Sequence, residues 1–469
     1  VDIHAELSRF YPQGVYTAHV VGYAGRINEQ EMERIEVSDY AGTSHIGKVG
    51  VEKAHEAWLH GHVGYEQAVV NARGRVLERR KKQAPVPGRD LHLFFDVQLQ
   101  KDATAALGDN RGSVVAIDPR TGGVLALVSS PSYDPNPFVG GISYAAFDAL
   151  REDIDKPLYN RAIRGQYPPG STIKPFVALG GLAMGVIGPR DGKYCGGYFQ
   201  LPGHTHRYRC WRRGGHGMLA MEDAVVQSCD VYFYRLAHDL GIERLNDALA
   251  AFGFGRPTGT DIADELGGLL PSPEWKQRAR NQVWYPGETL IVGIGQGSFL
   301  ATPLQLAAAT AAMANRGTFV TPRLVAATRA GLGKPLVPTE RETHVIPDHD
   351  PRHWQAVIDS MAEVVEGPRG TARRILNDAY RIAGKTGTAQ VFTVGQNETY
   401  NEAEVAERMR DHALFVGFAP VDDPRIAVAV IVENGGHGGA VAAPIARAVL
   451  DSWLLGVRVG DPADLEPTE

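Results

Sequence analysis

Pro168-Pro169-Gly170-Ser171-Thr172-Ile173-Lys174-Pro175-Phe176-Val177-Ala178-Leu179 is the stretch on which the reading of this chain turns. Pro and Gly mark a turn, and the apolar run that follows reads as a buried helix. Ser171 therefore opens a helix. Pro175 falls in the first turn, where a missing N–H costs nothing. Lys174 is three residues on and faces the same side one turn later. A serine hydroxyl is a poor nucleophile until a base removes its proton. Lysine serves only if its pKa is lowered, and desolvation under a helix is one way to lower it. The bland alternative is a capping serine beside a solvated lysine.

Two further motifs weigh against that alternative. Ser228-Cys229-Asp230 ends a helix-like stretch, Met221 to Gln227, and precedes Val231-Tyr232-Phe233-Tyr234. Ser228 can relay a proton between Lys174 and a leaving amine. Asp230 can hydrogen-bond a lysine ammonium or a substrate amide. Alone, the tripeptide would pass for a helix cap. Lys385-Thr386-Gly387-Thr388 lies between Arg381-Ile382-Ala383-Gly384 and Ala389-Gln390-Val391-Phe392, and reads as a strand with a glycine at a close backbone approach. Its lysine and threonine hydroxyls suit a carboxylate. Gly387 would let an acyl chain lie along the strand. The N–H groups of Thr388 and Ser171 would form an oxyanion hole, about 3–4 kcal/mol per donor. S-x-x-K, S-x-D and K-T-G in this order point to attack on a carbonyl carbon by Ser171.

The same three motifs resemble those of the penicillin-binding transpeptidases of class B. The resemblance extends to Gly47-Lys48-Val49-Gly50-Val51-Glu52 in an N-terminal module. It also takes in Gly112-Ser113-Val114-Val115-Ala116-Ile117-Asp118-Pro119 and Gly293-Ile294-Gly295-Gln296-Gly297 in a catalytic domain. Asp230 where most relatives carry Asn, Glu398-Thr399-Tyr400-Asn401 and Asp411-His412-Ala413-Leu414-Phe415-Val416-Gly417 point to the elongation enzymes of rod-shaped bacteria. The resemblance implies a penicilloyl-serine transferase fold, cross-linking of D-Ala-D-Ala stem peptides of peptidoglycan, and acylation by β-lactams. It implies Ser171, Lys174, Ser228, Asp230 and Lys385 as catalytic, and Thr386, Gly387 and Thr388 as substrate-binding. It also implies a SEDS-type glycosyltransferase (RodA-like) and the scaffold MreC as partners, docking on residues 1–90. Catalysis is expected to need no cofactor.

Around these motifs the chain reads as α+β. It has 469 residues, 43% of them hydrophobic and 22% charged, which are globular values that suggest two or three domains. A net charge of −6 argues against nucleic acid. No run of 18 apolar residues could span a membrane. The chain opens without Met or signal peptide. The resemblance implies one anchor helix ahead of residue 1, so these residues are expected to be the periplasmic part of a single-pass inner-membrane protein. Residues 1–90 read as the N-terminal pedestal and 91–469 as the transpeptidase domain, with Ala84-Pro85-Val86-Pro87-Gly88 as the linker. Arg73, Arg75, Arg79, Arg80, Lys81 and Lys82 read as a solvated face, or else a contact with an acidic partner or lipid surface. Strand alternation begins at Leu91-His92-Leu93-Phe94-Phe95. Ser113–Ile117 and Val124–Ser129 form a hairpin through Asp118-Pro119-Arg120-Thr121-Gly122-Gly123. Residues 171–310 read mostly helical. Strands return at Ala413–Phe418 and Ile426–Glu433, and a helix from about Ala440 to Leu455 closes the chain. Strands at both ends with helices between fit an antiparallel sheet flanked by helices.

The three cysteines, Cys195, Cys210 and Cys229, cannot all pair internally. With His216 they have the composition of a closed tetrahedral zinc site, although the spacing C-x14-C-x5-H-x12-C is not diagnostic. One disulfide with a free thiol, or three buried thiols, are the other readings. His204 and His206 are alternative ligands in a more polar loop. Zinc here would be structural and would pin the Ser228–Asp230 turn to the 195–216 loop. His412 reads as a structural histidine, since Lys174 already fills the role of base. Trp211, Trp275 and Trp284 read as packing rather than groove.

Three functions remain open at this stage. The first is the acyl transferase. The second is a D,D-carboxypeptidase or β-lactamase. Against it, no Glu-x-x-Leu-Asn segment offers a class A deacylation base, and Ser-Cys-Asp differs from the class D Ser-x-Val. The third is a non-enzymatic β-lactam sensor or scaffold.

Overall fold

A computed structural model describes residues 8–348, 350–391 and 405–459; Glu398-Thr399-Tyr400-Asn401 lies outside them. One five-stranded sheet organises the described chain. Its strands are β1 (Gly112–Ile117), β2 (Val124–Ser130), β3 (Ala383–Ala389), β4 (His412–Ala419) and β5 (Ile426–Val432). The spatial order is β3-β4-β5-β1-β2, and every pairing is antiparallel. The hairpin between β1 and β2 closes through Gly122, at φ +73°, whose N–H donates to the Asp118 carbonyl. β4 and β5 are nearly continuous apolar runs because both sheet faces are covered.

The covering layers come from both ends of the sequence and from its middle. Helix α1 (Val97–Leu107) and the closing helix of the described chain pack on each other and on the sheet. The middle supplies α2 (Lys174–Ala183), α3 (Met221–Val226), α4 (Asp230–Ala251), α5 (Pro303–Ala314) and α6 (Pro351–Glu366). The last helix is α7 (Ala442–Leu455). α5 is buried along its whole length against β1, β4 and β5. Its start is a reciprocal cap: Thr302 Oγ1 accepts from Gln305 N–H at 3.1 Å, and Gln305 Oε1 accepts from Thr302 N–H at 2.9 Å. α6 runs along β3, and α2 packs on α4. This leaves β3 as a sheet edge beside the N-terminus of α2.

Two local expectations change. Residues 171–310 are interrupted by four three-residue strands, Lys193–Cys195, Tyr198–Gln200, Arg207–Arg209 and Gly217–Leu219. This glycine-rich stretch has no helical apolar period, so short ladders replace helix. The strand at Asp90–Leu93 pairs with Val325–Arg329 rather than with the main sheet. The Ala84–Gly88 segment is also held: Val86 exchanges both backbone hydrogen bonds with His62 at 2.9 Å. A Cβ on Gly88 would lie 1.8 Å from the Leu59 carbonyl oxygen.

The N-terminal region docks on the sheet-bearing part through Tyr11, whose N–H donates to Asn136 Oδ1 at 2.8 Å, and through His19, edge-on to Tyr133 at 5.2 Å. Lys53 pairs with Asp264 at 2.8 Å. From it projects a two-stranded ribbon, Tyr65–Val70 with Val76–Gln83, in which every residue of the second strand is exposed. The basic run sits on this ribbon, partly paired as Arg79–Glu66 and Arg80–Glu78.

Candidate active site

Ser171 lies in one turn of 3-10 helix, Gly170–Ile173, that leads directly into α2. Glycine is required just before it. Gly170 has φ +55°, and a Cβ there would lie 2.5 Å from the Thr388 carbonyl oxygen on β3. Its N–H donates to the Gly295 carbonyl at 2.7 Å, and a Cβ on Gly295 would meet the Gly170 oxygen at 2.2 Å. Gln296 then donates from Nε2 to the Thr388 carbonyl at 2.9 Å. Gly293-Ile294-Gly295-Gln296-Gly297 is thus a clasp that holds the Ser171 turn against β3. Thr172 seals the same seam, its methyl 2.7 Å from where a Gly387 Cβ would stand. Gly387 is buried, so its missing side chain makes room for this turn.

Lys174 is fully buried at the start of α2. Its Nζ donates to Asp230 Oδ1 at 2.7 Å, to the Ser228 carbonyl at 2.9 Å and to Ser228 Oγ at 3.3 Å. The Phe233 ring centroid lies 5.4 Å from Nζ. The Ser228–Asp230 motif is the turn between α3 and α4, and Ser228 sits at φ +55°. A non-glycine residue there is strained by about 1–2 kcal/mol, so the surroundings must hold it.

On β3, Lys385 is also fully buried, and its Nζ donates to the Thr386 carbonyl at 2.9 Å. Burial, and next the charge of Lys174, hold its ammonium well below the ordinary lysine range, with Asp230 opposing. Thr386 shares a hydrogen bond with Thr371 Oγ1 at 2.8 Å. Thr388 is the half-buried residue of the strand; its neighbours on β3 are buried. The structure therefore gathers Ser171, Lys174, Ser228, Asp230, Lys385, Thr386, Gly387 and Thr388 at one edge. The arrangement offers a hydroxyl nucleophile, a buried amine, a relay hydroxyl and a strand edge able to receive an extended peptide.

Cys195, Cys210, Cys229 and His216 converge beside this edge, with their ligand-type atoms within 4.8 Å of one another. All three thiols are buried. His216 Nδ1 lies 3.6 Å from Cys195 Sγ and 3.5 Å from Cys210 Sγ. A tetrahedron with Zn–S near 2.3 Å and Zn–N near 2.05 Å has an S···N edge of about 3.6 Å, so the donor set fits such an ion. The Cys229 thiol donates to Cys210, which pulls the Cys210 pKa down and, with burial, pushes that of Cys229 up. One thiolate thus forms easily. His204 and His206 lie outside this group and line a neighbouring cavity of about 560 Å³ with Tyr208, Trp284 and Tyr285.

Some contacts have no signature in sequence. Trp211 donates its backbone N–H to Asp230 Oδ2 at 2.9 Å and its indole Nε1–H to the Gln227 and Ser228 carbonyls at 3.1 Å. Packing was the expectation for this residue, and its neighbour Cys210 was the cue that it lay near the motif. Trp275 stacks with Arg280 as expected of packing, whereas Trp284 bonds Thr289 Oγ1 and also lines the cavity beside His204. His412 accepts from the Asn434 N–H at 2.9 Å and meets Tyr167 edge-on, which suits the structural role expected of it.

A family model of the penicillin binding protein transpeptidase domain matches residues 112–451, and one of the penicillin-binding protein dimerisation domain matches residues 1–93. The chain belongs to the penicillin-binding transpeptidases, as the three motifs led one to expect. Within that family its similarity runs to the elongation type. It is 49% identical over 459 residues to the peptidoglycan D,D-transpeptidase MrdA of Acinetobacter baumannii, covering 97% of this chain and 67% of that protein. The structure of Pseudomonas aeruginosa penicillin-binding protein 2 in complex with WCK 5153 matches with a TM-score of 0.85 and 48% identity, covering 98% of this chain and 94% of that one. The Helicobacter pylori penicillin-binding protein 2, solved in complex with MreC, matches with a TM-score of 0.85 and 32% identity, covering 96% and 79%.

Proposed function

We propose that the chain cross-links peptidoglycan through an acyl-enzyme at Ser171, with residues 91–469 as the catalytic domain. The observation that carries the assignment of roles is the fully buried Lys174 amine, held by Ser228 and Asp230 one turn from Ser171. In the neutral form Lys174 takes the Ser171 proton as Oγ bonds to the carbonyl carbon of the penultimate D-Ala. Thr388 and Ser171 N–H groups receive the oxyanion. Collapse breaks the C–N bond, and the proton passes through Ser228 to the departing D-Ala amine. An amine of a second stem then attacks the ester, forms the new amide and returns a proton to Ser171. Lys385, Thr386 and Thr388 receive the terminal carboxylate, whose charge offsets the burial that disfavours the Lys385 ammonium.

Cys195, Cys210, His216 and Cys229 would hold one structural zinc ion. All four positions are protein ligands, so the ion would brace the loop and leave the chemistry to Ser171 and Lys174. The Helicobacter pylori relative was solved with MreC, which supports an MreC-type scaffold as a partner, and a neighbour solved as a peptidoglycan synthase complex supports a polymerising one of the RodA-like kind; residues 1–90 are the docking module in this reading. Relatives named as peptidoglycan D,D-transpeptidases fit a periplasmic catalytic domain tethered to the inner membrane. No helix of the described residues is long and apolar enough to cross a membrane.

The test is intact mass after mixing with benzylpenicillin, for wild type and Ser171→Ala, followed over hours. One stable adduct only in the wild type is expected. Drug hydrolysis without an adduct would transfer the reading to a β-lactamase, and neither adduct nor hydrolysis would favour a scaffold.

A further inference from the structure

Two of the three groups that hold Lys174 are themselves held by one residue. Lys174 Nζ donates to the Ser228 carbonyl and to Asp230 Oδ1. Trp211 donates its indole N–H to that same carbonyl, and its backbone N–H to the other oxygen of that same carboxylate. The second branch of the indole bond reaches the Gln227 carbonyl one residue earlier. Trp211 therefore spans the turn from Gln227 to Asp230 and holds two of the three groups that Lys174 faces, the Ser228 carbonyl and the Asp230 carboxylate; the third is Ser228 Oγ at 3.3 Å. The strained Ser228 backbone lies at the centre of this span.

We infer that Trp211 is a positioning residue for the general base. This rests on the reading of Lys174 as that base. A neutral amine has two N–H bonds and one lone pair. When the Ser228 carbonyl and Asp230 take the two N–H bonds, the lone pair is left a single direction, on the side of the Ser228 hydroxyl at 3.3 Å, and the Ser171 proton must reach it there. The aim of that lone pair is then only as good as the placement of the two acceptors. The turn lies between two helices and includes a residue at φ +55°, a conformation that persists only where its surroundings over-determine it. Backbone bonds from Ser228 N–H to Val225 and from Cys229 N–H to Ala224 hold part of the turn, and the Trp211 indole N–H adds a grip on the carbonyl of the strained residue itself. Trp211 is 61% exposed. Burial therefore gives little reason for a tryptophan at 211, whereas its N–H has two acceptors.

Replacing Trp211 by β-(3-benzothienyl)alanine keeps the ring shape and the backbone N–H and removes only the indole N–H. Stopped-flow acylation with a fluorescent penicillin separates initial binding from the acylation rate constant. The expected result is a rate constant lowered about tenfold, the size of one net hydrogen bond, with initial binding within twofold and an unchanged melting temperature. Trp211→Phe should show the same split. A benzothienyl variant that acylates at the wild-type rate, or one that loses binding while keeping the rate, overturns the inference. Failure of the underlying reading is separate and visible: Lys174→Ala would then acylate as fast as the wild type.

Discussion

Two walls bound the Ser171 cleft, and they are held by different forces. The β3 wall is one edge of a five-stranded sheet whose strands are buried almost throughout, clasped by Gly170, Gly295 and Thr172. The facing wall, residues 193–219, consists of three-residue strands and exposed side chains such as Tyr194, Met218 and Trp211. Its buried side chains are Cys195, Leu201, Cys210 and Leu219, beside the Cys229 turn. Apolar burial at roughly 25 cal/mol per Å² can fix a strand by area alone. A loop that buries little needs point attachments instead. Ser171 stands beside the first wall, and Lys174 bonds a turn that Trp211 ties to the second.

The sharpest way to break this pairing is at Lys174. Lys174→Ala leaves the β3 wall intact and removes the amine that both walls serve. Acylation by a fluorescent penicillin should fall on the order of 10²–10⁴-fold, the range for loss of a general base. Lys385→Ala on the opposite wall should mainly weaken capture of the carboxylate, which a plot of rate against penicillin concentration would resolve. If Lys385→Ala instead abolished the rate constant while Lys174→Ala spared it, the roles of the two buried lysines would have to be exchanged.

Next in size is the loop anchor. Chelation by a strong zinc ligand, or Cys210→Ser, should loosen residues 193–219 while leaving the sheet folded. Hydrogen exchange should rise in the loop and stay unchanged in β4 and β5, with a melting temperature lowered on the order of 5 °C. Acylation should slow as well, because Trp211 follows Cys210 in the chain and bonds Asp230. Elemental analysis of protein never exposed to chelator checks the premise: less than about one zinc per chain would return the cluster to three buried thiols.

The contrast also marks what could be read from sequence. Ser171, Lys174, Ser228 and Lys385 were legible because local chain geometry, turn then helix and strand after glycine, dictates where such side chains point. Cys195, Cys210, His216 and Cys229 were legible by composition alone. Their convergence depends on the ladder that pairs Cys195 with Gly217. Gly387 was read as room for an acyl chain, yet the methyl of Thr172 stands against it. Sequence marks a close approach at a glycine without saying what approaches. The donors of Trp211 could not be seen at all, since a backbone N–H and an indole reach their acceptors only after the loop has folded across α3 and α4. The strands within 193–219 were missed for the related reason that three-residue ladders carry no period.

Acid sharpens the comparison with the smallest effect, and it tests the buried side. His412 begins β4, is half-buried, and accepts from the Asn434 N–H through Nδ1. Burial, helped by Arg111 and opposed by Glu433, lowers its pKa below 6.5. His19, enclosed against Tyr133 at the junction with the N-terminal region, is lowered by burial to about 4. In both cases the unfolded chain takes up the proton first as pH falls. The stability these neutral imidazoles carry is therefore whole above about pH 6.5. For His19 it declines between about 6.5 and 4 and is gone below that, at most roughly 3 kcal/mol. Melting temperatures measured from pH 8 to pH 4.5 should fall in that window. His19→Gln should remove the larger part of the slope, and His412→Gln a smaller part. Where the loop carries zinc, protons compete with the metal for its ligands, so the double variant should still lose loop protection at pH 5 while its sheet amides stay protected. A double variant whose sheet opened together with its loop would mean that the two walls unfold as one unit and that the contrast between them is not energetic.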